Sequence, residues 1–171
     1  VSFSIIAAIG QNNELGKKGG LCFHIPSDLK FFKETTIGHP CFMGLATFKS
    51  LPKKLPGRTM YVLSFSADDV IEEAELKGAL VNTEVIPVTD LNSFIAEYEN
   101  SDQEIFVIGG GSVYKQLLPH CQKLYLTEID ATDPDADTFF PDFNHQEYLK
   151  ETLKSGDENN LHFNHILYTK K

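Results

Sequence analysis

The sequence contains no tryptophan, only three cysteines and two methionines, and far fewer bases than acids, 15 Lys and Arg against 24 Asp and Glu. Each shortage excludes something. A net charge of −9 at pH 7 argues against a general nucleic-acid binder, because phosphate contacts need clustered Lys and Arg. A few local donors can still hold a small anionic ligand against that field. Cys22, Cys41 and Cys121 form no CxxC pair and cannot all pair internally, so free thiols in a reducing, cytoplasmic compartment are expected. The apolar opening, residues 1–9, carries no basic leader and is too short for a span, so it reads as a buried strand rather than a signal or membrane segment. Without tryptophan, the 13 phenylalanines must supply most of the large core pieces.

Several motifs are missing as well. His24, His39, His120, His145, His162 and His165 offer no HExxH, and His162 and His165 would point to opposite faces of a strand. Asp133, Asp135, Asp137 and Asp142 lack the EF-hand spacing and its closing Glu, so a solvated acidic loop is expected and no metal site. No Ser-His-acid order supports hydrolysis.

What is present is alternation. The hydrophobic pattern predicts strands at 2–9, 40–43, 59–64, 104–108 and 123–129. Helices are predicted at 27–36 behind Pro26, and at 46–50, 91–98 and 112–118. A Gly- and Asn-rich loop runs from the first strand through Gly20. Residues 66–90 are the least legible, with an acidic cluster over 68–75 and short strands near 79–82 and 85–88. Segments 147–154 and 161–169 flank a turn-rich SGDENN insert and read as an antiparallel hairpin. The 171 residues fit one domain, 1–171. The expected fold is a three-layer α/β domain with a central mixed, mostly parallel sheet, helices on both faces and a C-terminal antiparallel hairpin. Ligands in such folds sit at the carboxyl ends of the strands.

Three constellations could carry chemistry. Asp28, with Phe31 and Phe32 three and four residues on, would share a helical face with two phenyl rings, and desolvation there raises a carboxyl pKa. An acid favoured only by the helix dipole is the plain alternative. The run Ile108-Gly109-Gly110-Gly111-Ser112-Val113-Tyr114 ends a strand in glycines and opens a helix, which suits a pyrophosphate; a tight structural turn would look the same. It is neither G-x-G-x-x-G nor a P-loop. Arg58, after Leu55-Pro56-Gly57, could hold a carboxylate in a two-pronged contact, or be a solvated surface residue.

The order of these signals is more specific than any one of them. Ile6-Ala7-Ala8, Leu15-Gly16, LCFHIPSDL from Leu21 to Leu29, Phe32-Lys33-Glu34-Thr35-Thr36, Met43-Gly44, Leu55-Pro56-Gly57-Arg58, the glycine run with Tyr114, Leu124 to Asp130, and Asp137-Thr138-Phe139-Phe140-Pro141 resemble the dihydrofolate reductase family. The resemblance spans essentially the whole chain. It implies hydride transfer from NADPH to dihydrofolate, antifolate inhibitors as further small-molecule ligands, and a monomer without nucleic-acid or membrane partners. The catalytic set it implies is Asp28, Thr127, Leu21 and Phe23. Asp28 would bind the pterin amino group and ring nitrogen, supported by Thr127, while water delivers the proton to N5. Ile6, Ala7, Leu29, Phe32, Leu51 and Ile108 would line the folate pocket, and Arg58 would hold the glutamate-tail carboxylate. The cofactor would meet Ala8, Leu15, Gly16, Gly44, Leu45, Ala46, Thr47, Leu63, Ser64, Ile108, Gly109, Gly110, Gly111, Ser112, Val113 and Tyr114. Residues 16–21 would form a mobile loop over it, and the Gly-Gly bond is cis in this family.

The chain departs from the family pattern in four places. Cys22-Phe23 stands where Pro-Trp is usual, and Phe23 has no indole N–H to organise a pocket water. Leu45 and Ala46 follow Met43-Gly44 where an Arg and a polar residue are frequent. Phe65 follows Ser64 in place of a hydroxyl or base, and Ser112 sits where some members have Arg. These changes imply weaker selection of NADPH over NADH, unless Lys49, Lys53 or Lys54 compensates. A pyrimidine reductase of riboflavin synthesis shares the fold, but has no reason to keep Asp28 with Arg58. A binding-only relative would show affinity without turnover.

Overall fold

A computed structural model describes residues 2–51, 58–78 and 84–171. In chain order the strands are β1 (Phe3–Ile9), β2 (Glu14–Lys17), β3 (Gly20–Leu21), β4 (Cys41–Gly44), β5 (Met60–Leu63), β6 (Val85–Val88), β7 (Ile105–Val107), β8 (Cys121–Ile129), β9 (Thr138–Phe139), β10 (Tyr148–Glu158) and β11 (Leu161–Lys170). The helices are α1 (Pro26–Thr36), α2 (Leu45–Ser50), α3 (Ala67–Leu76), α4 (Leu91–Tyr98) and α5 (Gly111–Leu117). Eight strands form one sheet in the order β10-β11-β8-β1-β7-β4-β5-β6, and β3-β2-β9 form a small second sheet.

The strands from β8 to β6 run parallel, while β11 and β10 add antiparallel pairs. This is the mixed sheet with a closing hairpin that alternation predicts. Phe3, Phe42, Phe48 and Phe106 are almost fully buried, so phenyl rings do fill the space that tryptophan leaves. Phe94 stacks on Phe42 at 4.7 Å between centroids and anchors α4 to the sheet. Cys41 and Cys121 are buried free thiols, and Cys22 is a half-buried one. Burial pushes the Cys41 thiol up to about 12, which leaves it an inert core residue.

The structure differs from the sequence reading in four places. The acidic stretch 68–75 belongs to α3, whose buried residues Val70 and Ala74 lie one turn apart. The loop through Gly20 contains β2 and β3, held by polar contacts from the acidic loop: Lys17 pairs with Asp133 at 2.9 Å, and the Lys18 N–H donates to Asp137 at 2.8 Å. That loop is therefore an anchor for β2 rather than merely solvated. The SGDENN insert is mostly strand. Only Asn159 and Asn160, with φ of 54° and 62°, make the turn, the two-residue hairpin in which both central residues need positive φ. Finally, the last helix begins at Gly111 and passes into a 3₁₀ turn over Leu118–His120. The predicted strand near 79–82, the turn residues Leu55, Pro56 and Gly57, and Lys53 and Lys54 lie outside the described residues.

Candidate active site at the carboxyl ends of the strands

Helix α1 begins at Pro26, whose missing N–H costs nothing in a first turn. Its remaining first-turn donors are accounted for. The Asp28 and Leu29 N–H groups donate to the Ile25 carbonyl, and the Ser27 N–H donates to Glu158 Oε1 at 2.9 Å, from the tip of the distant hairpin. The Asn159 amide also donates to the His24 carbonyl. The hairpin therefore holds the end of α1 that carries Asp28.

Asp28 projects toward the face of β8 and β11. The Thr127 hydroxyl donates to Asp28 Oδ1 at 2.6 Å. Burial raises the Asp28 pKa, and the Thr127 hydrogen bond opposes that rise without cancelling it. Desolvation thus dominates, as its position beside Phe31 and Phe32 predicts, and the dipole-only alternative does not describe this residue. Thr127 is buried, and its oxygen also lies 2.7 Å from His165 Nδ1. His165 is buried at 2% exposure, stacked 4.0 Å from the Phe31 ring. His162, three residues away, is exposed, so the two histidines do face opposite sides. Sequence reasoning weighed His165 only as a metal ligand and missed its contact with Thr127. The signal exists only in sheet register, where Thr127 pairs with His165.

Ala8, Gly44, Leu63, Ile108 and Thr127 lie at the carboxyl ends of parallel strands, whereas Arg58 precedes β5 and lies at the opposite, amino end. Ile6 is buried, with Phe32, Leu51 and Ile108 packed against its cluster. Ala7 and Ala8 on β1 are half-buried, and Leu29 on α1 is exposed. Arg58 is not a solvated surface residue. It is 5% exposed, donating from Nε to the Thr36 hydroxyl at 3.1 Å and from Nη2 to the Lys33 carbonyl at 2.9 Å. It is locked to the carboxyl end of α1. Leu21 is exposed on β3, and Phe23 packs against the cluster of Ile25, Ile129 and Phe163.

The glycine run meets the start of α2. The Gly109-Gly110 peptide is cis, and the Gly44 N–H donates to the Gly109 carbonyl at 3.0 Å. A Cβ on Gly109, where φ is +133°, would lie 3.3 Å from Thr47 Oγ1. One on Gly111 would lie 2.9 Å from Thr138 Cγ2, beside the Leu15 side chain. Gly44 sits against Val113, and buried Tyr114 donates its hydroxyl to the Ile6 carbonyl at 2.8 Å. Neither α2 nor α5 has a side-chain cap at its start. Gly16 is paired within the small sheet. Leu63 ends β5, the Ser64 hydroxyl accepts from the Ser66 N–H, and Ser112 accepts from Gln116. Leu45 is half-buried, Ala46 is exposed and Phe65 is fully exposed. Among the described residues there is no cluster of His, Cys, Asp and Glu suited to a metal ion, and no helix is long and apolar enough to cross a membrane.

Known proteins resemble this chain along its length and in its fold. The dihydrofolate reductase family model matches residues 2–170. The dihydrofolate reductase of Haemophilus influenzae is 36% identical over 100% of both chains. The type 3 dihydrofolate reductase of Salmonella typhimurium is 36% identical over 91% of this chain and 90% of its own. A solved dihydrofolate reductase from Enterococcus faecalis, complexed with NADP(H) and RAB-propyl, superposes with a TM-score of 0.81 at 29% identity, covering 99% of this chain and 96% of that one. The chain belongs to the dihydrofolate reductase family, and its reaction is the reduction of dihydrofolate to tetrahydrofolate by hydride transfer from a reduced nicotinamide cofactor.

Proposed function

We propose that Asp28 is the group that recognises the pterin, and its hydrogen bond with Thr127 is the observation that carries this reading. A carboxylate accepts only, so it suits a ring that presents an amino group and an adjacent N–H. Its half-buried setting strengthens that contact relative to water. An antifolate with the same pair of donors would take the same place. Ile6, Ala7, Leu29, Phe32, Leu51 and Ile108 give the pocket its apolar walls, and Phe23 keeps ring shape without supplying a donor. Arg58 holds the tail carboxylate, its side chain braced by α1. Asp28 orients and binds, and a water rather than this residue brings the proton to the pterin.

The residues present fit a dinucleotide. The uncapped starts of α2 and α5, brought together through Gly44 and Gly109, present backbone donors suited to a pyrophosphate. Ala8, Leu15, Gly16 and Tyr114 would flank the nicotinamide, which supplies the hydride when bound. Leu21 and its neighbours in β3 exclude bulk water from the reacting atoms. At the adenosine end, Leu45, Ala46, Thr47, Leu63, Ser64 and Ser112 bring no cation, Phe65 is bare, and exposed Asp68 and Asp69 open α3. NADPH is the cofactor, with weaker discrimination against NADH than a site with an Arg would give. The protein works as a cytoplasmic monomer of one domain.

Turnover is read as the fall in nicotinamide absorbance with dihydrofolate present, with NADPH and NADH side by side. Loss of turnover in Asp28→Asn supports the assignment of Asp28, and normal turnover removes it. A kcat/KM ratio near unity between the cofactors, rising toward NADPH in Leu45→Arg, supports weak discrimination. Strong NADPH preference in the unmodified protein refutes it.

A further inference from the structure

The residues Ala8, Thr127, His165 and Lys154 form one row across four adjacent strands, β1, β8, β11 and β10. Thr127 and His165 therefore present their side chains to the same face, over which α1 lays Asp28 and Phe31. The Thr127 oxygen has one proton and two close partners, Asp28 Oδ1 at 2.6 Å and His165 Nδ1 at 2.7 Å. A carboxylate can only accept. If the Thr127 proton lies toward Asp28, the contact with His165 is a hydrogen bond only when Nδ1 carries the ring proton.

We infer that His165 is a positioning residue for the reduction, its Nδ1–H holding the Thr127 hydroxyl proton on the Asp28 carboxylate. This rests on the reading of Asp28 as the pterin-binding acid. The opposite tautomer, with the proton on Nε2, would draw the Thr127 proton to Nδ1 and leave two oxygens facing each other at 2.6 Å without a proton between them. Only a protonated Asp28 tolerates that arrangement, and a protonated Asp28 no longer offers the pterin a pure acceptor. The ring is held in place by its stack on Phe31 and its edge contact with Phe163 at 5.3 Å. The charged groups facing it are Asp28 from α1, with Oδ1 3.8 Å from Nδ1, and Lys154 from β10. Asp28 in turn faces Thr127, His165 and, from α5, Tyr114. Burial, and then Lys154, hold the His165 pKa below its usual value, which favours the neutral ring, and in that form the position of its single proton decides the chain of donors.

The test uses the full-length protein with nitrogen-labelled histidine. Long-range proton–nitrogen NMR at neutral pH is expected to show His165 protonated at Nδ1 and bare at Nε2, and an Nε2–H tautomer overturns the inference. Two variants add a functional reading. His165→Phe keeps the stack but loses the donor, and His165→Asn places an amide N–H near the Nδ1 position. The phenylalanine variant should raise the KM for dihydrofolate about tenfold, with kcat much less affected, as expected for one lost hydrogen bond in a chain ending on a charge. It should also move the Asp28 carboxyl titration, followed by carbon NMR, upward. The asparagine variant should restore most of both. Equal impairment in the two variants, or an unmoved Asp28 titration in the phenylalanine variant, overturns the inference. Normal dihydrofolate binding in Asp28→Asn removes both readings together. Weakened binding in Asp28→Asn with unaltered His165→Phe removes the His165 role alone.

Discussion

Replacing Glu158 by alanine should loosen the helix that carries Asp28, although Glu158 lies 131 residues from its partner Ser27. In the first turn of α1, Pro26 has no N–H, and Asp28 and Leu29 are served by the Ile25 carbonyl. Ile25 contributes no side-chain cap. The Ser27 N–H thus depends on Glu158, and the variant removes both its acceptor and a negative charge at the positive end of the helix. Losing a cap costs about 0.5–2 kcal/mol, and the charge–dipole part of such a contact is about 0.3–1 kcal/mol. Because Glu158 is half-buried, about 1.5 kcal/mol is expected for the whole, overlapping effect. For a protein of this length that lowers Tm by about 3–6 °C. Glu158→Gln keeps the acceptor and loses the charge, so it should cost about 0.3–1 kcal/mol. Urea titration of the three proteins at neutral pH measures this as a shift in midpoint without a change in slope. If the alanine variant unfolds at the parent's midpoint, the contact does not cap α1. If glutamine costs as much as alanine, the charge matters and the acceptor does not.

Three further outcomes follow from the site. Thr127→Val deletes the hydroxyl between Asp28 and His165, so it should cost about 2 kcal/mol in urea unfolding and raise the Asp28 pKa further; a valine variant as stable as the parent would contradict the buried network. Asp28→Asn should be more stable than the parent at neutral pH despite losing turnover. The folded-state pKa of Asp28 is raised, so the carboxyl's penalty is absent below the ordinary carboxylate range and develops as pH climbs through that raised value. A Tm difference that shrinks or reverses toward neutral pH would contradict the dominance of desolvation. Gly111→Ala places a Cβ 2.9 Å from Thr138 Cγ2 and 3.3 Å from the Phe139 carbonyl. Overpacking of about 1–3 kcal/mol is expected, with weaker cofactor binding by calorimetry, and an unaltered variant would show that β9 yields freely.

How much of this was legible depended on whether the signal was local. The glycine run after β7, the Pro26 start of α1 and the alternation of strands and helices are local patterns, and each was readable. Helix α3 was obscured because Glu72, Glu73 and Glu75 surround its small buried stripe of Val70 and Ala74. Its apolar face is too narrow to stand out from an acidic run. The turn of the last hairpin was misplaced because Ser155-Gly156-Asp157 has turn composition. In the sheet, Gly156 pairs with Phe163, whose ring occupies the space a Cβ would fill, 2.7 Å from Cζ. That glycine serves close packing rather than chain reversal. Helical spacing pointed to Asp28 and the resemblance to a family added Thr127, but neither reached His165. Only register brings a residue on β11 against one 38 positions earlier.

The place of β11 has a consequence for how the chain reaches this state. The strand bearing Thr127 is an interior strand only because β11 lies against it, and β11 is the last strand in chain order. Until the hairpin docks, β8 is a bare edge nine residues long carrying Leu124, Leu126 and Ile129, a template for pairing with other chains. The Asn159-Asn160 turn allows β10 and β11 to zip together first, within microseconds, whereas docking must close far longer loops. Aggregation during refolding should therefore compete with docking of that hairpin, and a mutation that slows the turn would first be felt as lost yield rather than lost activity.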